Sequence, residues 1–491
     1  VQHSTRKSTW KERKWVIMGM VCLLLFSSAA LPASADGDPD AYHYSYYGDT
    51  VPAPAAYEAT TIITGKKLNI TPFKEPSDMH VTADERVYVL DSGNGRIVEM
   101  DRNFKLVRTI ESFQNDGKTD QFKNPQGLFV TEKGDLLVAD SDNQRVVHLD
   151  NKGKLVKIVA EPKSDLLNED FQFKPMRIVM DQGERIYVMA AGVFDGFMEF
   201  SADGEFSSFI GANRVQVDPV EYLWKRFATR EQRSQMVMFT PTEFTNLDMD
   251  KEGFIYATSG DRGKDPIKKL NAQGTDILRR EGYSAPQGDL RYTTEAGPSR
   301  LIDVDVGDSD MYSVLDSNRG RIFTYNGDGY LLHIFGGIGN RMGMFNTPVA
   351  LERAGDRMLV LDKALGEITV FQTTEYGRTL HDAVRSYYNG EEDQSSELFA
   401  KAAEMNANLE YAYAGIGKAL LRQKEYAESA QYFKQSMERQ GYSKAFLLYR
   451  KELMREHFSW VMSGIFLAVA AFVTIAIVRR QKRRTTNAGI K

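Results

Sequence analysis

Three short segments carry a carboxylate, an amide and a guanidinium close together: Asp91 to Arg96, Asp140 to Arg145 and Asp316 to Arg321. An acid, a polar amide and a base side by side suggest an active site. Their recurrence argues for a structural role. A feature copied along a chain serves the copied unit, and a turn aspartate caps its turn and pairs with the arginine of the same hairpin. The expected hairpin pairs are Asp91–Arg96, Asp140–Arg145 and Asp316–Arg321. Imidazole chemistry is scarce. Between residues 57 and 373 the histidines are His80, His148 and His333. They fall in different repeats and are not expected to converge on one zinc ion. Cys22, the single cysteine, lies in an N-terminal apolar run expected to be cleaved off. Disulfides and thiolate chemistry are therefore not expected in the mature chain. Gly337 and Gly339 precede a strand and a proline, where a phosphate loop would open a helix.

The elements that must position these groups repeat. Six related copies run from Pro76, Pro125, Pro175, Phe244, the segment around Asp316, and Pro348. Each reads as three short alternating strands broken by Asp-Gly, Asn-Gly or Lys-Gly turns, with room for a fourth. A period of about 45 to 50 residues in strand–turn units implies propeller blades, which bury their faces only by stacking on one another. The linkers Phe122-Lys123-Asn124-Pro125 and Phe335-Gly336 through Phe345 to Pro348 add to the pattern. Together these residues resemble NHL repeats over residues 57–373, which implies a mainly β fold, a six-bladed NHL-type β-propeller. Tyr57 to Ile63 is the expected closing strand, which removes an exposed edge.

The resemblance also frames the chemistry. Some related propellers are enzymes. The peptidyl-hydroxyglycine lyases use a histidine-bound metal, and the gluconolactonase-like propellers hold a divalent cation on axial oxygens. By strand register, the residues that would bind calcium or magnesium in this way are Asp78, Asn246, Asp248 and Glu352. This supports an alternative reading as a metal-dependent hydrolase or lyase. No family motif selects those residues, and no nucleophile, base and orienting group form a local signature. The primary expectation is no cofactor and no catalytic residues. Aligning the blades from their prolines places Asp78, Gly127, Arg177, Asn246, Arg300 and Ala350 around one channel mouth. Of these, Asp78, Arg177, Asn246 and Arg300 are the candidate ligand-facing residues. A helix is expected after Pro219, with Tyr222, Trp224 and Phe227 overhanging that mouth to stack on a sugar or grip a protein.

The ends of the chain set the expected location. Residues 1–35 read as a secretory signal peptide, with a basic start, an apolar core and Ala33-Ser34-Ala35. Residues 36–56 read as a flexible, tyrosine-rich lead-in. Residues 374–457 read as a helical stalk. Ser395 and Phe399 recur as Ser429 and Phe433, the 34-residue spacing of tetratricopeptide repeats. Phe458 to Val478 carries no formal charge and reads as one transmembrane helix, followed by a basic tail, 479–491, expected in the cytoplasm. The net charge of −5 argues against a nucleic-acid partner. The expected protein is a single-pass, membrane-anchored extracytoplasmic scaffold. Its propeller face would bind a protein or glycan in an envelope or transport-associated complex.

Overall fold

The computed structural model describes residues 41–162, 164, 167, 171–194, 196–211, 243–260 and 265–488. The expected signal peptide and the expected helix bearing Tyr222, Trp224 and Phe227 lie outside the described residues.

Alternating apolar residues and glycine-rich turns produce six antiparallel blade sheets, five of them built from strands consecutive in the chain. Their innermost strands are Asp78–Val81, Gly127–Val130, Pro175–Met180, Phe244–Met249, Leu301–Val306 and Pro348–Ala354. Each lies against the next, and the last lies against the first, so the ring closes around an axis. Five sheets have four strands, and blade four has three among the described residues. Tyr57–Thr64 supplies the fourth strand of blade six, pairing along Glu367–Thr373. The first strand of the ring thus completes the last blade, and the N- and C-terminal parts of the propeller are stitched by backbone hydrogen bonds.

The apolar cores lie between blades. One joins blades one and two through Leu90, Ile97, Leu128 and Val138. Another joins blades six and one through Val89, Met79, Leu359 and Val370. A single blade has two apolar faces and no way to bury both, so stability comes from neighbour on neighbour.

The chain leaves blade six at Thr373, whose N–H is bound by Asp356 in the turn between that blade's first two strands. Thr374 then caps a helix by accepting from the Gly377 N–H. Five helices follow: α1 Glu375–Asn389, α2 Glu392–Met405, α3 Glu410–Gln423, α4 Tyr426–Gln435 and α5 Arg439–Ala488. The 34-residue periodicity reappears as chemistry. Ser395 donates to the Ala383 carbonyl at 3.1 Å, and Ser429 donates to the Gly417 carbonyl at 2.7 Å. Phe399 fills the space against Gly415, and Phe433 fills that against Gly417 and Gly441. A Cβ on Gly415 would sit 2.5 to 2.7 Å from the fully buried Phe399 ring. Gly415→Ala is therefore expected to destabilise the helical unit by about 1–3 kcal/mol despite alanine's better helix propensity. Adding Phe399→Leu should recover part of the loss in thermal unfolding. No recovery would place the strain elsewhere.

α1 and α3 pack on blade five. Tyr411 accepts from Asn326 at 2.7 Å, Lys418 reaches Asp328 at 2.8 Å, and Tyr330 donates to Glu438 at 2.8 Å. α5 runs without a break through the stalk end, the apolar stretch and the start of the basic tail. Its most apolar window has a mean hydropathy of 2.6 and is not buried by the protein. Fifty residues at about 1.5 Å each make it some 75 Å long, ample to cross a bilayer.

The lead-in differs from expectation over residues 41–56. Tyr42–Tyr44 and Thr50–Pro52 form a hairpin. Tyr42 and Tyr44 both donate to Asp289, the latter at 2.7 Å, and His43 Nε2 lies 3.0 Å from the Leu331 carbonyl. Polar composition suggests a mobile segment, but the buried Asp289 carboxylate holds the tyrosines in place.

Candidate functional site

The hairpin aspartates tie each blade to the linker that precedes it. Asp91 is fully buried. It accepts from the Lys74 N–H at 2.7 Å, Arg96 Nε at 2.7 Å and Asn94 Nδ2 at 2.8 Å. Asp140 repeats the set with Lys123, Arg145 and Asn143 at 2.7, 2.8 and 2.9 Å. Blade five departs from the expected pair. Asp316 is met by Arg319 Nη1 at 3.3 Å, whereas Arg321 Nη1 turns to Asp289 Oδ2 at 2.8 Å and the Tyr42 hydroxyl at 2.7 Å. The cause is local. The third residue after the aspartate is Asn94 or Asn143 in blades one and two but Arg319 in blade five. Arg319 takes the internal role, and Arg321 is released to hold the lead-in.

At the axis, each innermost strand has one edge that pairs with its own blade and one that does not. N–H groups on the second edge need acceptors. Five carboxylates supply them across blade boundaries. Asp78 Oδ2 accepts from the Leu128 N–H at 2.8 Å, and Asp248 Oδ2 accepts from Val306 at 2.8 Å. Asp303 accepts from Leu351, and Asp305 accepts from Arg353 at 2.9 Å. Glu352 Oε2 accepts from Val81 at 3.1 Å, which links blade six to blade one. The axial acids are blade-to-blade staples.

Two layers of these positions follow from strand pairing. The first holds Asp78, Gly127, Arg177, Asn246, Asp303 and Ala350, opposite Leu90, Ala139, Met189, Thr258, Leu315 and Leu361. Arg300 is not among them. It precedes the strand, which begins at Leu301 and not at Pro298, so Asp303 takes the position that Arg177, Asn246 and Ala350 take in blades three, four and six. The second layer holds His80, Phe129, Val179, Asp248, Asp305 and Glu352.

Among the described residues, first-layer side chains are tied to neighbouring blades. Arg177 reaches across to the Gln126 carbonyl, its Nη2 lies 3.4 Å from the Ser77 carbonyl, and Asn246 Nδ2 donates to Asp303. The four expected cation ligands do not assemble. Asp78 and Asn246 belong to the first layer, Asp248 and Glu352 to the second. The three carboxylates among them already accept backbone N–H groups. Among the described residues, no three histidine, aspartate or glutamate side chains are grouped to hold a metal ion. The residues do not fit calcium or magnesium, and no metal-dependent step is derived. The histidines do not converge either. His80 stacks near Phe129 on the axis, His148 is on the third strand of blade two, and His333 faces His381 of α1.

Burial raises the axial acids, and Arg177 only partly offsets it at Asp78 and Asp303. Asp248 is pushed up to about 7 by burial and by Asp305. Glu352 and Asp303 are raised well above the carboxylate range by burial, with neighbouring acids adding to it.

A cavity of about 1010 Å³ opens at the opposite end of the axis, among the turns between first and second strands of blades one to four. His80, Phe129 and Asp248 of the second layer lie at its inner end, with Met180 and Met249 beside them. This is the end of the propeller from which the chain leaves blade six into the helices. Strand periodicity locates the axis but not which end is open. That depends on Arg177 bridging to strands far away in sequence.

Residues 122–149, which span most of blade two, match the NHL repeat family. No curated protein matches the chain. Among solved structures, selenomethionine-substituted virginiamycin B lyase from Staphylococcus aureus aligns at 9% identity and a TM-score of 0.40, covering 65% of this chain and all of that one. A streptogramin B lyase aligns at 12% identity and a TM-score of 0.40, with the same coverage. A protein of unknown function from Bacteroides thetaiotaomicron aligns at 12% identity and a TM-score of 0.41, covering 68% and 76%. The chain is therefore a six-bladed β-propeller that carries an NHL-repeat match in blade two and is followed by a C-terminal helical region.

Proposed function

We propose that the protein is a membrane-anchored, extracytoplasmic binding protein whose propeller receives a partner in an envelope or transport-associated complex. The observation that carries this reading is the axial cavity, which is large enough for several side chains or a small glycan. The axial acids, the main support for a metal-dependent hydrolase or lyase, serve as staples between blades. The binding face is the cavity end of the ring, not the hairpin face bearing Arg177. The helices couple this module to the anchor. Their spacing fits a tetratricopeptide-like unit, but its first helices are spent on blade five, which favours a rigid connector over a peptide groove. α5 would carry the span, leaving the basic segment after Val478 in the cytoplasm.

Photocrosslinking in intact membranes tests the assignment, with the reactive residue placed singly at Gln182 on the cavity, Ser317 on the hairpin face and Lys424 on the helices. A discrete partner should be captured from Gln182. Capture from Ser317 alone would return the binding face to the hairpin end, and capture from Lys424 alone would move it to the helices.

A further inference from the structure

The cavity lining has a charge balance that bears on its occupant. Eight carboxylates line it against four lysine and arginine side chains. All four bases already have a carboxylate partner: Arg86 with Glu99 at 2.8 Å, Arg108 with the same Glu99, Lys133 with Glu184 at 3.0 Å, and Lys251 with Asp308 at 2.7 Å. An anion would therefore have to break an existing pair. Of the other lining acids, Asp84, Asp181 and Asp250 pair with Arg86, Arg185 and Lys269, and Glu132, Asp135 and Asp248 are the lining acids outside these pairs.

A second observation is independent of the acids. His148 lines the same cavity with its side chain only 9% exposed, and neither ring nitrogen has a hydrogen-bond partner. The nearest acid, Asp135, is 3.5 Å from Nε2. Burial holds the ring below its ordinary range, so it is neutral near pH 7 and offers a lone pair, not a second proton. The ring is thus an unsatisfied polar group in the cavity wall, covered in the structure and beside Asp135.

The floor adds a third element. Blades two and three lack staple acids in the second layer and place Phe129 and Val179 there, so the axis is acidic on one side and apolar on the other. Phe129 packs at a tilt against His80, 5.0 Å between centroids, and Met180 and Met249 add apolar surface to the same lining. An aliphatic stem would lie on this surface, its charged head would meet the carboxylates, and an aromatic face favours a cation over an anion.

We propose that this cavity binds an alkylammonium or guanidinium group, such as the lysine or arginine side chain of a partner protein. The inference rests on the cavity being the binding face. The full-length protein in detergent is titrated by calorimetry with an acetylated, amidated Gly-Gly-Lys-Gly-Gly peptide, its Nε-acetyl-lysine form, the glutamate analogue, and n-butylamine. The lysine peptide should bind saturably, and acetylation or the glutamate substitution should weaken binding at least tenfold. Glu132→Gln, at an exposed position, and His148→Phe should each weaken it severalfold while thermal unfolding stays near that of the parent. Butylamine binding as tightly as the peptide would point to a free amine as the natural source, and peptide-only binding to a protein side chain. Equal binding of the lysine and acetyl-lysine peptides, preference for glutamate, or no binding by any cation would overturn the proposal. If crosslinking at Gln182 still captures a partner, those results remove only the cationic ligand. If it captures nothing, the cavity assignment falls with it.

Discussion

Asp91→Ala is expected to cost about 3–5 kcal/mol, whereas Asp140→Ala should cost distinctly less, although the two hairpins look alike. Removing Asp91 strands three donors in a buried setting. Arg96, only 5% exposed, then keeps the Thr71 carbonyl at 2.6 Å and Glu111 at 3.9 Å. Arg145 loses the same partner but retains Asp120, which takes Nη1 and Nη2 at 2.7 and 2.9 Å. A paired guanidinium tolerates burial far better than an isolated one, so the difference between the variants isolates that pairing. Urea unfolding of the two variants gives the comparison. Equal losses would mean that the aspartate acts only by capping its turn and linker.

The contact between propeller and helices should weaken in acid. His333 Nε2 and His381 Nε2 lie 2.8 Å apart, both rings are buried, and Tyr57 packs against each. Such a pair is stable when neutral, one ring donating and the other accepting. Burial lowers His333 to about 3 and His381 well below its ordinary range, with Arg353 adding to both and Arg385 to His381. His43, also buried, acts on His333 in the same direction. Folded-state values below the unfolded 6.5 mean that the stabilisation is present above pH 6.5 and is lost as pH falls through 6.5 towards 3. Each ring contributes up to about 1.4 kcal/mol per pH unit in that window. The protection factors of the α1 amides, which take out the intrinsic pH dependence of exchange, should fall between pH 6.5 and 5. The double variant His333→Phe with His381→Leu should be far less sensitive. If it keeps the full acid response, His43 or His80, both also lowered by burial, is the origin.

These effects separate what the sequence makes legible from what it does not. The blade count, the closing strand beginning at Tyr57 and the linker glycines are legible because strand alternation and turn chemistry are local. The Asp91 and Asp140 hairpins are legible for the same reason, since all three partners lie within 17 residues. Blade five shows the limit. Moving the asparagine one residue earlier puts Arg319 in its place and sends Arg321 to Asp289, a choice visible only once residues 42 and 289 are neighbours. Counting from Pro298 puts Arg300 on the axis, but the blade-five strand begins only at Leu301, so Asp303 and Asp305 are the axial acids. In blades three and six the proline is itself the first strand residue, and nothing in composition marks the difference.

By itself, the amino-acid sequence determined the repeating fold, the helical region with its 34-residue spacing and the apolar length of α5. These follow from periodicity, which every few residues report. Tertiary structure alone decided that the axial acids staple neighbouring blades, that Arg177 fills one end of the axis, and that the cavity lies at the other. It also decided that residues 41–56 are held by Asp289. Each of those outcomes depends on groups 32 to 271 residues apart competing for the same few hydrogen bonds, and Arg321 meets Asp289 at the short end of that range, Glu352 the Val81 N–H at the long end. Hydrophobic patterning selects the ring, but the orphaned N–H groups of its inner edge select which acids face inward.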